Sequence, residues 1–354
     1  MNAKPQSIPT YRKRVIYLDL LRVISVFAVV WLHVSVQGHW WDSHFGEEWT
    51  IRDVYNSCVR WCVPVFVMIS GALFLDSKRE LNIKLLYTKN VVRIILAFVL
   101  WSLIYVLIIN EDTKFSRIIA ATISGHFHLW FLKMLLGLYI VTPILKVIVS
   151  NKQTEKYFIY IAVITCFVTP MLFPTIGFVN SGIRGMIEGW YNTMNIKIAL
   201  GYTGYFVLGH FLNTYTVNKK ISNVIYVFGV ASLICVIILT YFYSHFLGKT
   251  TELFMEYLTP FTLLEAVAVF LFVKHKCNAI PVKYNSLINN FAKMSFGIYL
   301  VHILVMFLLS KIGITSSTFH PSFFIPCFTL FVFIVSYLIT RVLYNIPYLN
   351  KLVK

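Results

Sequence analysis

Ten long apolar runs, separated by short polar stretches that are alternately rich and poor in lysine and arginine, constrain this chain more than any other feature. The runs lie at 15–36, 54–75, 91–109, 128–149, 157–176, 198–212, 222–246, 257–273, 294–309 and 321–343. A helix needs roughly 20 apolar residues to cross the hydrocarbon core of a bilayer. With 58% of its 354 residues hydrophobic, the chain has enough apolar residues for about ten crossings. Only 13% of residues are charged, well below the quarter typical of soluble domains. A soluble enzyme, a disordered chain and a protein with a single anchor are thereby excluded. An outer-membrane barrel is disfavoured, because the runs are continuous and not alternating strands of about ten residues. The sixth run is short and contains glycine, so a tilted, broken or re-entrant helix is expected there.

The charges test this count. Cytoplasmic loops of membrane proteins carry an excess of lysine and arginine. With the N-terminus inside, 21 of the 31 basic residues fall on the inner stretches. Seven fall on the outer ones: Arg52, Lys114, Arg117, Arg184, Lys197, Lys249 and Lys311. The expectation is an all-α, polytopic membrane protein of about ten transmembrane helices with both termini cytoplasmic. A basic tail would cover 1–14, a single membrane-embedded domain 15–343, and a second tail 344–354. The net charge of +17 then reflects inner loops and not a nucleic-acid partner. The first apolar run is of full span length without a clear cleavage site, so it is read as helix one and not as a signal peptide. No internal repeat, phosphate-binding loop or dinucleotide fingerprint is present.

Ionisable groups inside spans are costly and are functional candidates by default. Arg22 and His33 are eleven residues apart in the first run. That is three helical turns plus about 20°, so both share one face, separated by roughly 16 Å along the axis. Asp19, three residues before Arg22, can orient it. From spacing alone two readings stand: a functional pair, or an arginine snorkelling to the interface beside a core histidine. Lys133 and Glu265 fall at similar depths in the fourth and eighth runs. Each is expensive alone, so an ion pair between them is one reading, and separate contact with cavity water is the other. Cys58 and Cys62, one turn apart, read as small core residues. No nearby His or Cys set completes a zinc site, and no metal is expected.

Four blocks together resemble acyltransferase family 3, a family of membrane-bound enzymes. The first is Tyr17-Leu18-Asp19-Leu20-Leu21-Arg22, with ten residues between Arg22 and His33. The second is Val63-Pro64-Val65-Phe66-Val67-Met68-Ile69-Ser70-Gly71. The third is His128-Leu129-Trp130-Phe131-Leu132, followed by Tyr139 and Pro143. The fourth is Ser295-Phe296-Gly297-Ile298-Tyr299-Leu300-Val301-His302. They occur in the family's order across nearly the whole chain. Within the family the chain is most similar to single-domain O-acetyltransferases of surface glycans, of the type that acetylates enterobacterial common antigen.

The resemblance implies an O-acetyltransferase of the bacterial cytoplasmic (inner) membrane. It would carry acetyl from cytoplasmic acetyl-CoA, a co-substrate and not a bound cofactor, to a hydroxyl of a cell-surface or lipid-linked glycan. Membrane lipids would surround it. On that reading Arg22, oriented by Asp19, suits a phosphate of the donor, because guanidinium is a permanently charged planar fork. His33 suits the thioester end as a base, or as an acetyl carrier. Arg60 would stabilise the oxyanion or hold the acceptor, against the alternative of an interfacial arginine. The family often shows Arg-x-x-Arg where helix three begins. Here Asn90-Val91-Val92-Arg93 departs from it, which leaves Arg93 as a phosphate contact or a snorkelling arginine. His128 and Trp130 read as an aromatic belt or as an acceptor platform. Ser70 with Gly71 reads chiefly as close helix packing. Tyr299 and His302, three apart, are cavity candidates, as are Glu265 and Lys133. The alternative class is a transporter or flippase of a lipid-linked glycan, with Arg22, His33 and Glu265 as pathway groups.

Overall fold

A computed structural model describes residues 15–41, 45–77, 80–109, 114–277, 280–347 and 349–353. The basic tail 1–14 lies outside the described residues. The described chain is helical, without strands. Its helices are α1 (Ile16–Ser35), α2 (Glu47–Ser57), α3 (Cys62–Phe74), α4 (Ile83–Leu85), α5 (Val92–Ile109), α6 (Phe115–Ser124), α7 (Trp130–Val149) and α8 (Lys152–Ala162). They continue as α9 (Thr169–Val179), α10 (Ser181–Thr193), α11 (Ile196–Thr214), α12 (Lys219–Leu247), α13 (Pro260–Lys276), α14 (Asn285–Lys311) and α15 (Pro321–Asn345). π-helical turns at Leu86–Val91 and Val163–Val168 join α4 to α5 and α8 to α9.

Among the described residues nine helical stretches are long and apolar enough to cross a bilayer, one fewer than the ten expected. The difference is the sixth run. It forms α11, a continuous helix of 19 residues and not a broken one. Tyr205, Phe206 and Val207 of α11 are fully buried, so the helix meets protein and not lipid and has less need of an apolar surface. The run at 54–75 also starts earlier than expected. It is α2 and α3 separated by a tight turn at 58–61.

Local chemistry sets the helix ends. Asn151 accepts from the backbone N–H groups of Gln153 and Thr154, Asn218 from Lys220, and Thr259 from Thr262. Each side chain thus satisfies N–H groups that a helix start leaves unpaired. Gly248 closes α12 in the left-handed conformation that only glycine adopts without strain.

Helix α1 is the central element. It packs on α14, α3 and α15. Its first half, with Leu18 and Leu21, joins one apolar core with α3, α11 and α13. Its second half, from Val26 to Val34, joins another with α5, α7, α14 and α15. Contact between α3 and α11 is close enough that a Cβ on Gly71 would overlap the carbonyl of Phe206. One on Gly209 would overlap the carbonyl of Met68. The packing expected for Gly71 is therefore what the fold requires of it.

Candidate active site

A cavity of about 430 Å³ lies along α1 and is lined also from α3, α5, α7 and α14. Both Arg22 and His33 are on its wall. The shared face expected from their spacing is therefore the face that α1 turns to the cavity. At 1.5 Å per residue the two lie roughly 16 Å apart along the helix. This defines an Arg22 end and a His33 end.

Arg22, Arg93 and Lys293 line the Arg22 end, beside Asn90, Ser70, Phe74 and Tyr139. Arg22 Nη1 is 3.5 Å from Asp19 Oδ1, with the arginine side chain a third exposed and the aspartate nearly buried. Asp19 thus orients Arg22 from behind, as expected. The Arg93 guanidinium lies 5.3 Å from the centre of the Phe296 ring, a cation–π contact between two residues of the cavity wall. Asn90 stands in the π-helical turn just before α5. The hydroxyl of Ser70 donates to the carbonyl of Phe66 at 3.0 Å, so Ser70 faces the cavity with its proton already engaged.

Histidines converge at the other end. The His33 ring centre is 5.1 Å from that of His302 and 6.5 Å from that of His128, and His128 is 5.6 Å from His302. His302 Nδ1 lies 2.6 Å from the carbonyl oxygen of Tyr299. A carbonyl can only accept, so Nδ1 carries the proton and Nε2 keeps its lone pair. That Nε2 makes no hydrogen bond, and neither does Nε2 of His128. The Tyr299 hydroxyl donates to the carbonyl of His128 at 2.7 Å, pinning α14 to the start of α7. His126 Nδ1 is 2.9 Å from His128 Nδ1. Burial pushes the His126 imidazole below its usual range, so this histidine favours its neutral form. Trp130 stacks on Tyr257 at 5.7 Å with 23° between the rings, and both line the cavity. Trp130 therefore belongs to the cavity wall and not simply to a belt.

Other expected site residues are placed elsewhere. Arg60 is buried in the turn between α2 and α3 and is not on the wall. Its Nη2 is 2.5 Å from Glu252 Oε1, and Trp40 donates to the same oxygen at 3.3 Å. Arg60 therefore sits behind Cys62 and Tyr257, which do line the cavity. His302 is fully buried behind His33. Lys133 and Glu265 do not pair. The Lys133 ammonium donates to the carbonyl of Ser124 at 3.1 Å and lies 5.8 Å from the Phe98 ring centre. Glu265 is buried, and both its oxygens lack a hydrogen bond. Lys133 turns towards α5 and α6, where Phe98 and Ser124 lie, and Glu265 is buried on α13. Neither lines the main cavity.

Lys293, His126, Glu252 and Tyr257 were missed as site residues. Lys293 and His126 fall one or two residues outside the runs and read as loop residues. Helical phase would have found Lys293: it precedes Phe296 by three positions, on one surface of α14. Cys58 and Cys62 carry free thiols. Among the described residues no three His, Cys, Asp or Glu side chains are arranged to hold a metal ion.

A family model described as an acyltransferase domain, that of acyltransferase family 3, matches residues 15–341. No curated protein and no solved structure matches the chain.

Proposed function

The chain belongs to acyltransferase family 3, and from that premise we propose that its cavity moves an acetyl group from acetyl-CoA to a glycan hydroxyl. The observation that carries the reading is one cavity with three cationic side chains at one end and His33 at the other. A coenzyme A thioester has the matching polarity, with anionic phosphates at one end and the reactive carbonyl at the other. Arg22, Arg93 and Lys293 would take the phosphates. The guanidinium of Arg22 offers paired donors, and the ammonium of Lys293 offers a point charge. The pantetheine arm would run along α1 past Phe66 and Phe131, and the thioester would reach His33.

In the proposed reaction, the acceptor oxygen attacks the thioester carbonyl while His33 takes the hydroxyl proton. The C–O bond forms, the C–S bond breaks, and the proton passes from His33 to the departing sulfur. General-base assistance of this kind contributes about 10²–10⁴-fold. His302, with its proton committed to the Tyr299 carbonyl, holds an unprotonated Nε2 in the cluster behind His33. It would orient the base without touching substrate. Trp130 and Tyr257 would offer aromatic surface to the sugar.

The same reading puts the Arg22 end and both termini on the cytoplasmic side of a bacterial inner membrane. The basic loop pattern supports that orientation. The test is transfer by purified protein in detergent with labelled acetyl-CoA and candidate glycans. Label in the glycan ester supports the proposal. Absence of transfer together with absence of coenzyme A binding contradicts it.

A further inference from the structure

A second cavity, of about 370 Å³, adjoins the histidine cluster from the side away from Arg22. Its lining includes Tyr105 of α5, Ala121 and Ser124 of α6, and Gly125, His126 and Phe127 of the following turn. Three observations give it a use.

The first is continuity with the main cavity. His126 lines the second cavity and His128 lines the first, and their Nδ1 atoms are 2.9 Å apart. Phe127 lies on the second cavity with its ring centre 5.6 Å from that of His33. The partition is therefore one layer of side chains on a three-residue helical turn, Phe127–Leu129. Tyr105 stacks on His126 at 4.5 Å and holds that layer from the α5 side.

The second is the character of the flanks. Helix α6 buries none of its residues and packs on α5. Leu107 of α5, Ile119 and Ile123 of α6, and Phe127 of the following turn are exposed. In a multi-pass membrane protein such a surface faces lipid and not water. The third is a charge at the edge. The Lys133 ammonium is exposed and tethered to the carbonyl of Ser124, one of the lining residues. A cation held beside an apolar opening suits an anionic group next to a lipid chain.

We propose that the second cavity is a lateral portal through which a lipid-anchored acceptor, a polyprenyl diphosphate carrying a sugar, slides its headgroup from the bilayer towards His33. The proposal deepens the acyltransferase reading and rests on it. The prenyl chain stays against α5 and α6, the diphosphate meets Lys133, and the sugar passes the Phe127 layer to reach the main cavity. His126 and His128, hydrogen-bonded to each other, offer ring nitrogens to its hydroxyls.

The test is photolabelling in nanodiscs with a diazirine-bearing polyprenyl diphosphate sugar, followed by peptide mapping. Label is expected within 105–127. It should be displaced by unlabelled polyprenyl diphosphate sugar and not by phosphatidylglycerol. Ala121→Trp, which fills the cavity, should cut labelling tenfold or more. Lys133→Gln, an exposed change that leaves the fold alone, should cut it several-fold. No label in this segment, equal displacement by phosphatidylglycerol, or full labelling of both variants would overturn the portal. Labelling needs no acyl transfer, so loss of the portal and loss of the acyltransferase reading are separate results.

Discussion

His302 gives its Nδ1 proton to the carbonyl of Tyr299 at 2.6 Å while its ring stands 5.1 Å from that of His33. The backbone of α14 thereby selects one tautomer of a buried imidazole beside the proposed base. His302→Gln keeps a polar side chain but loses the ring. The expected outcome is a fall in kcat of roughly 10²-fold with little change in the KM for acetyl-CoA, since His302 is off the cavity wall. Steady-state kinetics with each substrate varied in turn checks the split. A rise in acetyl-CoA KM as the main effect would place His302 on the donor path.

Arg22 is expected to act through the donor. Arg22→Lys retains charge and loses the planar fork that Asp19 orients. The KM for acetyl-CoA should rise about tenfold, with the acceptor KM nearly unchanged. Lys293→Met should move the same constant in the same direction. Acceptor KM rising instead, in either variant, would assign the cationic end to the acceptor.

The close approach of α3 and α11 depends on two absent side chains. Gly71→Ala and Gly209→Ala each force a methyl group against a carbonyl of the opposite helix. Overpacking of this kind costs about 1–3 kcal/mol. Thermal unfolding in detergent should show a lower midpoint for each variant. The double variant should lose less than the sum, because the first change already separates the helices. Wild-type midpoints would refute the contact.

Arg60 and Glu252 form the buried ion pair of the His33 end, with side-chain exposures of 6% and 26%. Removing one partner strands the other. Glu252→Gln should therefore cost up to about 3–5 kcal/mol, less in proportion to the solvent that reaches Glu252. Arg60→Met with Glu252→Gln should recover part of that loss in a double-mutant cycle on thermal stability. Lys133→Met with Glu265→Gln, by contrast, should be additive, because those side chains do not meet. Additivity in the first cycle, or coupling in the second, would contradict the geometry.

The parts of the fold and site readable from sequence are those that depend on one helix at a time. The period of the α-helix places Arg22 and His33 on one face whatever surrounds α1, and the structure adds that this face borders the main cavity. Apolar runs separated by charge give the spans. What sequence could not give is helix order around the bundle. Lys133 and Glu265 sit at similar positions along their runs, yet Lys133 meets Ser124 and Phe98 and does not meet Glu265. Glu252, in a connection after α12, reaches Arg60 192 positions away. The sixth run is short and contains glycine, and its close packing on α3 is invisible in its own hydropathy. Asn90 lies on the cavity wall, and Lys293 from α14 adds a cation to that wall.

The central claim is that His33 performs chemistry on a donor that Arg22 and its neighbours hold from the other end of the same cavity. The most direct measurement is a paired assay of His33→Ala: coenzyme A binding by thermal shift, and transfer from labelled acetyl-CoA to glycan. The account predicts a binding shift close to wild type and transfer reduced by about 10²–10⁴-fold or more. Near-normal transfer by the folded variant would contradict it.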